Sequence, residues 1–176
     1  MTSRRGFLTA FVSAGKKGDA PAPRPPYGSD ESLFQKVCIT CESKACVASC
    51  DEKIIVLDEA GTPRLDVSQS GCEFCDACAE ACPEEVLSTQ NPARIAARVV
   101  IDMQACVAHH GVICMSCKEP CLDDAILFRG LFNPVIDDEK CTACGFCVGR
   151  CPSAAIRYDA VWPEDEGGLR ETETTL

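Results

Sequence analysis

The sequence is poor in aromatic residues, in positive charge and in long apolar runs. Of its 176 residues 7 are Phe, 2 are Tyr and 1 is Trp, and a small chain of this kind seldom buries enough apolar surface to fold without a further staple. No apolar run approaches the ~18 residues that a membrane span needs. Lys and Arg number 17 against 27 Asp and Glu, a formal charge of −10. This balance argues against nucleic acid as a partner, because phosphate backbones require a basic surface.

Nucleotide-binding motifs are also missing. Neither G-x-G-x-x-G nor G-x-x-x-x-G-K-[ST] occurs in the sequence, which removes the commonest nucleotide-binding functions. What the chain has in excess is cysteine, with 16 residues, or about 9 per cent, a level at which cysteine chemistry rather than core packing is expected to define the fold.

The cysteines form a fourfold repeat. They fall into four groups of four, whose first members are 34, 34 and 35 residues apart. The groups are Cys38, Cys41, Cys46, Cys50; Cys72, Cys75, Cys78, Cys82; Cys106, Cys114, Cys117, Cys121; and Cys141, Cys144, Cys147, Cys151. An apolar residue precedes each group by five positions: Leu33, Val67, Ile101 and Ile136. An apolar pair follows each group: Ile54-Ile55, Val86-Leu87, Ala125-Ile126 and Ala155-Ile156. The regular period indicates four copies of one unit.

Groups two and four read C-x2-C-x2-C-x3-C-P. This is the bacterial iron–sulfur run, in which three close thiolates bind one [4Fe–4S] cube and the fourth reaches the other cluster of a pair. Group one has two extra residues before its third cysteine, and group three opens with a seven-residue gap that contains His109 and His110. Asp51 and Leu122 replace the proline there. Since no cysteine is lost, we expect up to four [4Fe–4S] clusters, with all sixteen cysteines as iron ligands.

Two pairings of the groups are compatible with the spacing. Local pairing joins group one to two and group three to four, whereas a nested scheme joins two to three and one to four. We favour local pairing, which predicts four crossed ligand sets. These are Cys38, Cys41, Cys46 with Cys82; Cys72, Cys75, Cys78 with Cys50; Cys106, Cys114, Cys117 with Cys151; and Cys141, Cys144, Cys147 with Cys121.

Two other uses of the cysteines compete with iron–sulfur binding. A disulfide framework would close strained short loops, and a zinc site usually draws on two separated C-x2-C knuckles. We therefore prefer iron, and keep a zinc-cluster interaction module as the weaker alternative. His109 and His110, beside Gly111, are interpreted as a solvent-facing loop, and Phe74 and Phe146 as packing residues.

The predicted fold class is α+β, with two tandem bacterial-ferredoxin-like modules of two clusters each and flexible termini. Each unit should contain a short strand such as Arg98–Ile101 or Pro134–Ile136, the cysteine loop, a helical turn that begins near the fourth cysteine, and a strand such as Ala125–Phe128. The predicted segments are an arm (1–28), module one (29–92), module two (93–161) and an acidic disordered tail (162–176). Ordered structure should begin near Tyr27.

The arm is basic and proline-rich. Residues 1–26 carry a net charge of +4, whereas residues 27–161 carry −10. Ser3-Arg4-Arg5-Gly6-Phe7-Leu8 resembles a twin-arginine export motif. Lys16 and Lys17 interrupt the apolar stretch that follows this motif. Residues 20–22 resemble an A-x-A cleavage site, but Pro23 directly after them argues against cleavage. We favour an uncleaved arm, with export as the alternative.

The four cysteine groups, the Ser3-Arg4-Arg5-Gly6 opening and the Arg24-Pro25-Pro26-Tyr27 approach to Glu31-Ser32-Leu33-Phe34 together resemble the NapF family. These are ferredoxin-type proteins associated with periplasmic nitrate reductase. The resemblance implies a cytoplasmic protein that keeps its arginine pair and contacts the precursor of the catalytic molybdenum subunit before that subunit is exported. It also implies a role in the subunit's maturation.

The predicted function is one-electron transfer, without catalytic residues or a substrate site of the protein's own. Three classes remain open: a cytoplasmic accessory protein for a molybdoenzyme, an exported electron-transfer subunit of a membrane-associated redox chain, and the zinc module. The acidic folded part favours a partner with a basic face.

Overall fold

The computed structural model describes residues 23–161. The predicted twin-arginine motif and acidic tail lie outside these residues. Within the described range every helix and strand spans only three to five residues, so the fold has a small mixed helix and strand content, as the α+β prediction required. None of the described helices has the length and apolar composition to cross a membrane. Residues 23–92 are called the first half below, and residues 93–161 the second half.

The first half contains three helices and one hairpin. Helix α1 (Glu31–Leu33) is capped by Asp30, whose carboxylate accepts from the Ser32 amide at 2.7 Å, and continues as a π-helix over Phe34–Cys38. Helix α2 spans Ala45–Ala48 and α3 spans Ala77–Glu80. Strands β1 (Ile55–Leu57) and β2 (Pro63–Leu65) pair antiparallel. A single antiparallel bridge joins Gly28 to Leu87.

The second half is built on two antiparallel strand pairs. Strands β3 (Ala97–Ile101) and β6 (Ile156–Ala160) pair along their full length. Strands β4 (Ile126–Arg129) and β5 (Phe132–Ile136) form a hairpin whose turn uses Gly130 at φ +74°. A 3₁₀ turn covers Val107–His110, and helix α4 covers Phe146–Arg150. The predicted strands around Arg98, Pro134 and Ala125 therefore correspond to β3, β5 and β4.

The fourfold repeat is visible in the backbone. Three residues after the last cysteine of each group, the chain adopts a positive φ, and that residue's amide donates to the carbonyl of the cysteine at 3.2–3.4 Å. The four residues are Lys53, Glu85, Asp124 and Ala154. This turn directs the following apolar pair inward, and all eight members of the four pairs are at most 8 % exposed. Six of them, all except Ala125 and Ala155, join a hydrophobic core that runs through both halves.

The predicted position of the helical turns is wrong. Helices α2, α3 and α4 each contain the third cysteine of a group and end before the fourth. In groups two and four the cause is the proline that follows the fourth cysteine, because proline disfavours helical backbone at the preceding residue. Cys151 accordingly has extended backbone, with φ −76° and ψ 112°.

The folded part includes residues that precede Tyr27. Pro23 accepts a backbone hydrogen bond from the Leu65 amide at 2.8 Å, and the side chain of Arg24 is only 3 % exposed. Arg24 binds the Glu31 carboxylate through Nε at 2.8 Å and Nη2 at 2.6 Å, and donates from Nη1 to the Thr62 hydroxyl at 2.6 Å. Packing of residues 24–27 against the first half thus places ordered chain inside the predicted arm. The module boundaries themselves stay predictions.

Candidate iron–sulfur sites

The fold gathers the sixteen cysteines into four sets. Each set contains three cysteines of one group and the last cysteine of its neighbour along the chain. They are named A to D: set A is Cys38, Cys41, Cys46, Cys82; set B is Cys50, Cys72, Cys75, Cys78; set C is Cys121, Cys141, Cys144, Cys147; and set D is Cys106, Cys114, Cys117, Cys151. The structure therefore brings together the crossed sets expected from local pairing.

Sets B, C and D each line a cavity. The empty space at set B, including the part open to solvent, is about 540 Å³, and that at sets C and D is about 330 Å³ each. Aliphatic side chains of the repeat complete the walls, including Ile54 and Ile55 at set B, Ile126 and Ile136 at set C, and Ile101 at set D. Four sulfur atoms around an apolar cavity are the donor set and the surroundings that a cubane cluster needs.

Set A is identified by the mutual influence of its thiols. Burial raises the pKa of the Cys38 thiol to about 11, and the neighbouring Cys46, Cys82 and Cys41 add to the shift. Cys41 lies nearer to solvent, and the Ser43 hydroxyl, 3.6 Å from its sulfur, lowers the pKa of this thiol. The Lys44 ammonium group donates to the Cys38 carbonyl and to the Gly61 carbonyl, the latter at 2.7 Å. These bonds tie the loop of set A to the β1–β2 turn.

Burial also raises the pKa of thiols in the other sets. The pKa of Cys78 rises to about 12 in set B, that of Cys147 to about 12 in set C, and that of Cys117 to about 11 in set D. Iron binds thiolate rather than thiol, so cluster binding displaces these protons. Within residues 23–161, no three His, Cys, Asp or Glu side chains converge as they would around a single metal ion.

The loops of groups two and four have the same backbone. The residue before the second cysteine, Phe74 or Ala143, has a positive φ, and so has the residue after it, Asp76 or Gly145. The Phe74 amide donates to the Cys72 sulfur at 3.4 Å. In set D the Ala155 amide donates to the Cys151 sulfur at 3.2 Å. Hydrogen bonds to cluster sulfur are one of the factors that set a reduction potential.

Two tyrosines belong to the sites although the sequence argument did not select them. The Tyr158 hydroxyl donates to the Ala143 carbonyl at 2.8 Å, and the Tyr27 hydroxyl lies 3.1 Å from the Phe74 carbonyl while donating to Asp76. Phe74 and Ala143 occupy equivalent positions in their loops. Burial raises the pKa of both hydroxyl groups. The available signal was that the chain's 2 tyrosines flank the cysteine region at either end.

The predicted solvent-facing loop is wrong in part, because His109 and His110 lie in the 3₁₀ turn and only His110 is exposed, whereas the phenylalanines pack as expected. His110 is exposed, with Nε2 2.9 Å from the Gln104 carbonyl, and His109 is half-buried, with Nε2 3.2 Å from the Pro134 carbonyl. Phe74 lines the set B cavity, and Phe146 packs where the halves meet, against Gly71.

Comparison with known proteins agrees with this geometry. Residues 37–86 match the family described as 4Fe-4S dicluster domain, and residues 134–157 match the 4Fe-4S binding domain family. The fold and the sites define a ferredoxin-type iron–sulfur protein that transfers electrons and binds up to four [4Fe–4S] clusters. The predicted cofactor is confirmed. Cysteine group three lies outside both matched ranges.

Several relatives resemble the chain over most of its length. It is 35% identical to the ferredoxin-type protein NapF of Escherichia coli K12, over 88% of this chain and 92% of that one. It therefore belongs to the NapF family of ferredoxin-type proteins, as the sequence motifs suggested. It is 31% identical to the methylamine utilization ferredoxin-type protein MauM of Methylorubrum extorquens, over 85% of this chain and 78% of that one. The ferredoxin-type protein NapG of Haemophilus influenzae is 32% identical, over 76% of this chain and 57% of its own length.

Proposed function

We propose that the protein is a cytoplasmic polyferredoxin with two tandem two-cluster modules. It passes single electrons and assists the maturation of the catalytic molybdenum subunit of periplasmic nitrate reductase before export. Sets A and B form the first module, and sets C and D the second. All sixteen cysteines are iron ligands. The observation that supports this most strongly is the grouping of the cysteines into four crossed sets.

The ligand assignment is testable by counting iron in double variants. Oxygen-free protein should contain about sixteen irons and as many acid-labile sulfides. Cys82→Ser and Cys41→Ser should each lower the count to about twelve, and the double variant should lose no more, because both residues hold the same cluster. Cys82→Ser combined with Cys114→Ser should lower the count to about eight, because these residues hold different clusters.

Nested pairing predicts the reverse pattern, since Cys82 would then serve the cluster of group three. Losses that add for Cys82 with Cys41, but not for Cys82 with Cys114, would overturn the assignment. A colourless protein with stoichiometric zinc and no sulfide would establish the zinc module instead.

The contacts of Pro23 and Arg24 support the proposal that the arm is retained. Cleavage after residues 20–22 would require extended chain on both sides of the cut, but Pro23 is hydrogen-bonded to Leu65 and Arg24 is buried in the first half. A folded protein therefore presents Pro23 and Arg24 poorly to a protease. Mass spectrometry of the protein from cells should find the arm with Arg4 and Arg5 still attached, in the cytoplasmic fraction. A periplasmic protein beginning near residue 23 would instead establish an exported electron-transfer subunit.

The proposed partner is the precursor of the nitrate reductase catalytic subunit. Residues 27–161 carry a net charge of −10, so binding should depend on a basic face of the partner and weaken with salt. Tagged protein should capture the precursor from cytoplasm, and capture should fall between low and high salt. The subunit isolated from cells that lack this protein should contain less iron and sulfide. Equal cluster content with and without the protein would contradict a role in maturation.

A further inference from the structure

The two halves meet through the backbone of two cysteine loops. The Cys72 amide donates to the Cys144 carbonyl at 2.7 Å. Cys72 belongs to set B in the first half, and Cys144 to set C in the second half. One hydrogen bond thus links a residue of one cavity directly to a residue of the next.

Three glycines allow this close approach. A Cβ atom at Gly71 would lie 2.7 Å from the Cys144 carbonyl oxygen and 2.5 Å from the Phe146 amide nitrogen. A Cβ atom at Gly145 would lie 2.6 Å from Val67 Cγ1, and one at Gly149 would lie 2.6 Å from the Ser68 carbonyl oxygen. Each contact crosses from one half to the other. Larger residues at these places would separate sets B and C.

Tyr158 lies beside the same contact. Its hydroxyl donates to the Ala143 carbonyl at 2.8 Å. Burial raises the pKa of this hydroxyl, and the thiols of both Cys72 and Cys144 add to the shift. The hydroxyl therefore holds the loop between Cys141 and Cys144 beside this contact.

The remaining contacts between cysteine sets place the four sets in a linear order. In the first half, Cys46 of set A lies on helix α2 and Cys78 of set B lies on helix α3, and these two helices pack together. In the second half, Cys117 of set D and Cys121 of set C are four residues apart, as are Cys147 of set C and Cys151 of set D. Sets B and C are thus the inner pair, and sets A and D are the outer pair.

We propose that the Cys72–Cys144 contact is the electron crossing between the halves, so that the four clusters form one path in the order A, B, C, D. Gly71, Gly145 and Gly149 are positioning residues for this crossing. Sets B and C would hold the two clusters that exchange one electron, one being oxidised as the other is reduced. Tunnelling falls steeply with distance and is favoured by bonded pathways over empty space, so a hydrogen bond between ligand loops suits the transfer. The proposal rests on the ligand sets proposed above.

The test isolates the inner pair by removing the outer clusters. Cys41→Ser combined with Cys114→Ser should leave about eight irons, in sets B and C. Fully reduced, this protein contains one paramagnetic cluster in each half. We expect spin–spin coupling between them in the electron paramagnetic resonance spectrum, and slow hydrogen exchange at the Cys72 amide.

Gly149→Ala in the same background should weaken the crossing. Alanine is a better helix former than glycine, so a loss can be ascribed to the contact with Ser68. We expect the coupling to decrease and exchange at Cys72 to accelerate, with about eight irons retained. The control is Gly130→Ala, where φ is +74° and nothing lies within 4 Å of the added Cβ; it should leave the spectrum unchanged.

The possible failures are distinguishable. An iron count other than about eight in the starting background would overturn the ligand sets, and with them the proposed function. About eight irons without coupling would overturn the crossing alone, as would identical spectra and exchange rates in Gly149→Ala and its parent. If Gly149→Ala fails to assemble its clusters, the parent's own coupling and exchange decide the matter.

Discussion

In the second half of the molecule, the strand before group three pairs over five residues with the strand after group four. In the first half, the corresponding pairing is one bridge between Gly28 and Leu87. The cysteine sets and the inward-turned apolar pairs are alike in the two halves. A backbone ladder thus joins the two ends of the second half, whereas other contacts must join the two ends of the first half.

In the first half, side-chain contacts anchor the segment that precedes group one. Arg24 binds Glu31 through two hydrogen bonds, lies 3.3 Å from Asp58, and stacks with its guanidinium carbon 5.3 Å from the centre of the Phe34 ring. Tyr27, only 3 % exposed, follows directly. A buried charge is tolerated only when it is paired and hydrogen-bonded. The comparison shows that a short segment can be anchored by one well-paired arginine where a sheet is too short to hold it.

Removal of iron should have the largest effect on stability, and the two halves should lose their amide protection at different stages. A chain with so few aromatic residues and such short elements lacks the core to fold alone, so cluster extraction by an anaerobic chelator should abolish most amide protection. We expect the β3–β6 amides to be the last to exchange, because this is the longest ladder. Hydrogen exchange during extraction measures the order, and longer protection in the first half than in β3–β6 would refute the comparison.

Replacement of Arg24 should damage the first half selectively. Arg24→Met retains an apolar stem but leaves Glu31 and Asp58 without their cation. Loss of one partner of a buried ion pair costs about 3–5 kcal/mol, and we expect about 3 kcal/mol because both carboxylates are partly exposed. Urea titration followed by the visible absorbance of the clusters measures the total, and hydrogen exchange assigns it to one half.

Arg98→Met in the second half is the matched control for this variant. Arg98 pairs with Asp138 at 3.5 Å, and their side chains are 53% and 65% exposed. An exposed pair of this kind contributes less than about 1 kcal/mol. Equal losses for the two variants would show that Arg24 does not anchor the first half.

The predictions that succeeded from sequence depend on local spacing. The period of the cysteines and the buried pairs such as Ala125-Ile126 follow from positions along the chain, whereas the spacing alone left local and nested pairing of the cysteine groups both open. The helices were misplaced because a positive φ at Lys44, Asp76 and Gly145 starts each of them one residue before the third cysteine, and the amino-acid types carry no clear sign of that turn.

The elements that were missed depend on contacts between distant residues. In the sequence, Arg24 is one of several positive charges in a basic arm. Its contact with Thr62, 38 residues away, exists only in the folded chain. Gly149 reads as a weak helix residue, and only the approach of Ser68 explains why a side chain is excluded there. Spacing along one chain does not report which surfaces of two similar halves meet.

The last prediction concerns the two tyrosines, which hold equivalent loops in the two halves. In Tyr158→Phe the Ala143 carbonyl loses its donor, and since Ala143 is 3 % exposed, water replaces the hydroxyl poorly. We expect a loss of about 1–2 kcal/mol. In Tyr27→Phe the exposed Asp76 carboxylate regains water, so the loss should be nearer 1 kcal/mol, about the net contribution of one hydrogen bond. The same urea titration measures both variants. A larger loss for Tyr27→Phe would mean that its bond to Asp76, rather than burial of the accepting carbonyl, determines how firmly a loop is held.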